Sequence, residues 1–202
     1  MSTAERGAEN EDPTVPATAW AVLGLLSFGQ ELSGYDLKKW ADTSLRFFYW
    51  SPATSQIYAE LRRLERLGYV EVRTAAQDDL RNKRMYRITP RGSTALGGWA
   101  RDTPVAPPML KHGVLLRVWL GHLSEVDELE GIVRQHREYA DSMISELRVS
   151  QDVARSSSEW IFPAIVARWG EGYYQAERDL ADQLLRELEA LKDRPRDPGD
   201  AD

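Results

Sequence analysis

Between Arg81 and Arg91 the chain carries five basic residues, Arg81, Lys83, Arg84, Arg87 and Arg91, and no acid. Guanidinium and ammonium groups at that density recognise oxyanions, and the fixed phosphates of a duplex are the commonest target of such a patch. Upstream, Thr54, Ser55 and Gln56 stand in sequence, followed by Tyr58 and Arg62. Short hydroxyl and amide groups exchange hydrogen bonds with base edges and phosphates, while Tyr58 and Arg62 suit the nucleic-acid backbone. A basic cluster on an exposed hairpin also serves as plain solvated surface, so pattern alone leaves both readings open.

Elements of known kind must position these groups. An apolar stretch around Trp20, Leu23 and Leu26 reads as a buried first helix, closed by Gly29. Ser33 with Asp36 three residues later has capping-box spacing and opens a second helix reaching about residue 47. Ser51-Pro52 predicts the start of a third over 52–67, since Ser caps free N–H groups and Pro lacks the donor that goes unpaired there. Ile57, Leu61 and Leu64 share one face of that helix, which sends Ser55, Ala59, Arg62 and Arg66 to the other. Strands follow over 69–73 and 85–89 around a polar turn at 77–84, and Pro90 begins a fourth helix. Three helices and then a hairpin is the order of a winged helix-turn-helix, with the third helix as the reader and the hairpin as the wing.

The expected organisation is a tail at 1–16, this domain at 17–103, a Pro-rich linker at 104–108, an α-helical dimerisation domain at 109–193 and a second tail at 194–202. Net charge is −6, yet residues 14–103 hold thirteen Lys and Arg against nine acids, and residues 104–202 hold twelve against nineteen. The basic part faces phosphates and the acidic part faces protein or solvent. Cysteine is absent from the sequence, which removes disulfides and thiolate chemistry. No apolar run approaches the roughly 20 residues that span a bilayer, and a cytoplasmic protein is expected. Neither a Gly-rich phosphate loop, a nucleophile elbow nor a paired-carboxylate arrangement stands out, so an enzyme is not expected, and no cofactor is either.

Beyond the linker the pattern is helical. Residues 115–120 form a short apolar helix, Ser124 with Asp127 opens a long one, and Ser156 with Glu159 precedes the last. That last helix carries Ile165, Trp169, Tyr173, Ala176, Leu180, Leu184, Leu188 and Leu191 at spacings of three or four. A stripe so long requires a partner, and Trp169, Tyr173, Leu180, Leu184, Leu188 and Leu191 are the expected dimerisation residues of an antiparallel, coiled-coil-like arrangement. Among seven tryptophans, Trp99, Trp119 and Trp169, with Trp160, could line a pocket for a planar effector or serve as core and interface anchors. His112, His122 and His136 show no metal-ligand spacing, so no metal is expected, and His136 reads as a packed interface residue.

The segments Trp20-Ala-Val-Leu-Gly-Leu-Leu26, Ser33-Gly-Tyr-Asp-Leu37, Ile57-Tyr-Ala-Glu-Leu-Arg-Arg-Leu-Glu-Arg-Leu-Gly68 and Arg84-Met-Tyr-Arg-Ile-Thr-Pro-Arg-Gly92 together resemble the PadR family of transcriptional regulators, over residues 18–103. The part after Pro108 resembles the helical C-terminal domain of longer members, through residues 115–122 and Trp169-Gly170. The resemblance implies a homodimer on an inverted-repeat operator in double-stranded DNA, with repression relieved by a small effector. It also places Tyr58 at the family's helix-three tyrosine and Arg84 in its wing-closing pattern. The run Phe47-Phe48-Tyr49-Trp50 has no counterpart and reads as packing between helices two and three. The alternative is a winged-helix protein-interaction module without DNA-binding function.

Overall fold

Residues 15–75, 83–154 and 160–192 are described, in a computed structural model. The fold is mainly α with one two-stranded antiparallel hairpin. Two compact units divide it: the described residues up to Asp42 with Ser51–Pro104, and Thr43–Trp50 with the described residues from Val105 onward.

In the first unit, α1 (Ala17–Leu26) is apolar on nearly every side and is buried through Ala19, Val22, Leu23, Leu25 and Leu26. A helix without a polar face belongs inside a core. Helix α2 (Gly34–Thr43) starts on the expected box. The Asp36 carboxylate accepts from the Ser33 N–H at 3.0 Å, and the Asp36 N–H donates to Ser33 Oγ at 3.3 Å. It stops earlier than expected, and a 3-10 turn, Leu45–Phe47, follows.

Helix α3 (Thr54–Arg66) begins two residues later than the Ser51-Pro52 signal suggested. The Ser51 hydroxyl is diverted to the Asp42 carboxylate at 2.6 Å and accepts from Lys38 Nζ at 3.0 Å, while Pro52 is buried. Ala53 takes the cap position without a capping side chain, and Gln56 Oε1 reaches back to accept its N–H at 2.9 Å. Strands β1 (Val70–Ala75) and β2 (Lys83–Ile88) pair from Val70–Ile88 to Ala75–Lys83. Leu32 adds a single bridge to Tyr86, with both backbone bonds made at 2.9 to 3.0 Å.

Helix α4 (Pro90–Asp102) is fixed to the end of α3 by one threonine. The Thr89 hydroxyl accepts from the Gly92 N–H and donates to the Gly68 carbonyl, and the Thr89 N–H donates to the Tyr69 carbonyl. Gly68 turns with φ 70°. At Gly92 the Tyr69 carbonyl passes so close that a Cβ would lie 2.2 Å from its oxygen.

The second unit holds α5 (Gly113–Trp119), α6 (Val126–Ala154) and α7 (Ile161–Lys192). Helix α6 opens with Glu128 reaching back to the Glu125 N–H, one residue beyond the Ser124 and Asp127 expected for that role. Ser156 and Glu159 lie outside the described residues. Helices α6 and α7 run antiparallel: Leu129 and Val133 pack with Ala181 and Leu188, and Met143, Ile144 and Leu147 with Tyr174. Phe47 completes that second cluster, so it packs on α6 and α7 and not between α2 and α3. The reason is local: α2 ends at Thr43 and its short 3-10 sequel travels with the long helices.

Replacing Gly92 with alanine forces the new methyl into backbone that has no rotamer to yield. An overpacking cost of about 2–3 kcal/mol is expected, measured by urea denaturation; a midpoint equal to that of the parent chain would contradict the close approach.

Candidate nucleic-acid interface

The outer face of α3 is set by its inner one. Ile57, Leu61 and Leu64 are each 0% exposed, so at 3.6 residues per turn Thr54, Ser55, Gln56, Ala59, Arg62 and Arg66 are turned to solvent, as the exposure pattern shows. Gln56 is only partly available, because its amide oxygen holds the Ala53 N–H and leaves its NH2 group facing out. Tyr58 is half-exposed, and its ring lies over the start of α2, where a Cβ on Gly34 would come within 2.5 Å of the ring. Gly34 is thus what lets the α3 tyrosine lie flat there.

The hairpin changes the expectation of an acid-free wing. Lys83 and Arg84 belong to β2 and not to the turn, and each meets a carboxylate from another element. Lys83 Nζ stands 3.2 Å from Asp36, and Arg84 binds both oxygens of Glu65 at 3.0 and 3.2 Å. Arg84 also lies over the ring of the buried Tyr86 at 5.5 Å. Arg87 is exposed opposite Glu71 and acts electrostatically on Glu31, whose carboxyl is held below its ordinary range chiefly by the hydrogen bond from Arg73. Acids were absent from the segment, yet helices and loops distant in sequence supply them. Arg81 lies outside the described residues.

The aromatic candidates divide between the units. Trp99 stacks on Trp20 at 5.5 Å in the first. In the second, Trp119 is 78% exposed and Trp169 stacks on Tyr173 at 5.7 Å. Of the expected dimerisation residues, Trp169, Tyr173, Leu180 and Leu191 are exposed on α7. Leu188 is not: it is buried against α6 with Leu184 beside it, so these two belong to the core of the single chain. The helix has two apolar faces, one packed on α6 and one exposed, and a stripe drawn at spacings of three and four drifts from one to the other.

Sequence reasoning missed one polar cluster altogether. Nε2 of His112 and Nε2 of His136 lie 3.0 and 2.9 Å from the same oxygen of Glu177. Burial pushes the Glu177 carboxyl up, but hydrogen bonds from His136, His112 and Tyr173 outweigh it and bring it below its ordinary value. No spacing signal could reveal it, since Glu177 is 41 residues from one histidine and 65 from the other.

A family model described as the transcriptional regulator PadR-like family matches residues 22–97. The negative transcriptional regulator PadR of Bacillus subtilis is 32% identical over 141 residues, 69% of this chain and 76% of that protein. The chain belongs to the PadR-like family of transcriptional regulators. The crystal structure of Bacillus subtilis PadR in complex with operator DNA matches this PadR-like chain with a TM-score of 0.73 at 25% identity, covering 86% of this chain and 99% of that one. A PadR-like regulator from Bacillus cereus matches with a TM-score of 0.71 at 28% identity, covering 86% and 98%. Bacillus subtilis PadR has also been solved with p-coumaric acid; that match, at 24% identity with a TM-score of 0.65 over 85% and 98% of the chains, concerns the fold alone. The fold is therefore the winged helix-turn-helix of DNA-binding PadR-like regulators, extended by C-terminal helices, and members of the family are regulators and not enzymes.

In this PadR-like chain Asp36 has two duties, capping α2 and meeting Lys83. Burial pushes its carboxyl up, but the Ser33 hydroxyl and N–H and the Lys83 ammonium outweigh that and hold it below its ordinary 3.8. A carboxyl lowered on folding contributes stability above its unfolded value, and the contribution is lost as pH falls through the folded one. Asp36→Ala should therefore lower stability by about 1 kcal/mol at pH 7, as loss of a capping group does, with the deficit shrinking below pH 4. Denaturation curves at pH 7 and pH 3 check this, and a deficit that persists undiminished in acid would refute it.

Proposed function

We propose that this protein is a homodimeric repressor that works in the cytoplasm, binds an inverted-repeat operator through α3 and the hairpin, and is released by a small, planar effector. The observation that carries the reading is the outer face of α3: Thr54, Ser55, Gln56 and Arg62 are exposed on a helix whose other face is wholly buried. In that reading Thr54, Ser55 and Gln56 address base edges, and Tyr58 and Arg62 hold the backbone. Arg81, Lys83, Arg84 and Arg87 clamp phosphates beside them. The family supports it, since the Bacillus subtilis relative is a negative regulator and has been solved on operator DNA.

Two copies are needed to read two half-sites, and α7 offers the surface. Phe162, Ile165, Trp169, Tyr173, Leu180 and Leu191 are large apolar side chains left exposed in the single chain. Monomeric proteins seldom leave so long an apolar ridge in water. For the effector, Trp99, Trp119 and Trp169 remain the candidates, and p-coumaric acid, solved with the Bacillus subtilis relative, is the natural first compound for a thermal-shift screen.

The pairing of Lys83 and Arg84 with carboxylates is also what a winged-helix protein-interaction module would show, so binding itself must be measured. Titration of the DNA upstream of its own gene should give salt-sensitive binding, with Arg62→Ala weakening it by about 1–3 kcal/mol. No shift at low salt, where phosphate attraction is greatest, would favour the interaction module. Leu180→Asp tests the ridge separately: light scattering should report a folded monomer in place of a dimer, and an unchanged mass would remove this face from the interface.

A further inference from the structure

We propose that His112, His136 and Glu177 form a binding site for a divalent transition-metal ion of the zinc type. The reading of the chain as a DNA-binding repressor is not needed for it, because all three residues lie in the second unit.

Three helices each contribute one ligand-type side chain. His112 caps α5, and His136 and Glu177 lie in the middle of α6 and α7. One ring nitrogen of each histidine and a Glu177 oxygen all lie within 4.8 Å of one another. The side chains are 14%, 20% and 13% exposed, buried enough to be held and open enough to be reached. The two rings stand edge to face at 4.8 Å, and the Nε2 atom of each meets the same Glu177 oxygen. Two imidazole nitrogens and a carboxylate oxygen are the donor set of zinc and its neighbours. Ligand atoms at about 2.1 Å from such an ion are about 3.4 Å from each other in a tetrahedron, and the nitrogen-to-oxygen separations of 2.9 and 3.0 Å are already close to that. Three protein ligands leave a fourth position for water or an incoming donor atom.

Loading would not leave the surroundings as they are. The Leu115 N–H donates to His112 Nδ1 at 3.2 Å, which places the proton of the neutral ring on Nε2, pointing at Glu177. A metal on Nε2 requires that proton on Nδ1, which can then no longer accept from Leu115. The exchange of tautomer costs the ring no proton overall, but it removes the side-chain cap of α5. Metal occupancy is thereby tied to the start of α5.

The test uses the full chain without an affinity tag, treated with chelator, desalted and titrated with Co²⁺. One ion per chain should bind, with the visible absorption of a low-coordinate histidine site that Zn²⁺ then displaces, and the Leu115 amide signal should move in the nitrogen–proton spectrum. His136→Ala should weaken Co²⁺ binding more than 100-fold, because even losing an outer partner of a metal ligand costs about 10–100-fold. His112→Asn keeps a good helix cap while removing the imidazole, so it should fold and still lose the absorption, whereas His122→Ala should change nothing. Absence of saturable binding at millimolar Co²⁺, or equal affinity in His112→Asn and the parent chain, would show that the three residues are a hydrogen-bonded tie between helices and nothing more.

Discussion

Three side chains decide what the first unit can present. Ile57, Leu61 and Leu64 are withdrawn from solvent completely, and a helix anchored along one face has no freedom to rotate. Everything else in the unit holds that orientation. Gly34 admits the Tyr58 ring, Thr89 joins the Gly68 carbonyl at the end of α3 to the first turn of α4, and the Leu32 bridge fixes the hairpin to the segment before α2. A contact surface held this way has little backbone entropy left to lose when it meets a partner, and that loss is one of the main costs of association.

The ion pairs of the hairpin look at first like competition for a phosphate. Exposed pairs such as Arg84–Glu65 contribute little net stability, typically up to about 1 kcal/mol, because solvent screens them. Their effect is positional: the carboxylate keeps a long side chain extended over Tyr86 that would otherwise sample many rotamers. A polyanion with closely spaced charges outcompetes a single carboxylate, but a ligand that approaches off-register meets Glu65 and Asp36 as well as their partners. Like charges placed beside attractive ones narrow the range of acceptable geometries, which serves selectivity more than affinity.

Local chemistry made much of this legible and long-range chemistry did not. The Ser33–Asp36 box, the buried face of α3, the hairpin and the Pro90 start all follow from spacings of a few residues, and each is where it was expected within a residue or two. The Ser51 cap failed because Asp42, nine positions away, offered its hydroxyl a better acceptor. Phe47 failed because the sequence does not say which unit a short 3-10 turn follows. The acids facing Lys83 and Arg84, and the meeting of His112 and His136 on Glu177, depend on helices placed by their cores, and no pattern within one segment encodes them.

The division of labour along α7 comes down to size. Towards α6 it presents Ala167, Gly170 and Ala181, together with Tyr174 and Leu188; at Gly170 the Leu147 methyls sit where a Cβ would be 3.4 Å away. Small residues let the two helices approach closely, so the core of the single chain is thin and its large groups come mainly from α6. The bulky residues of α7 lie about one position round from the small ones: Tyr173 is exposed beside buried Tyr174, and Leu180 beside buried Ala181. A helix that had only one surface to bury would place its largest apolar groups inward, where each buried methylene contributes about 0.8 kcal/mol. This one places Trp169, Tyr173 and Leu180 outward. Such an arrangement is favourable only when the outer face is also covered, which is the role the proposed dimer gives it.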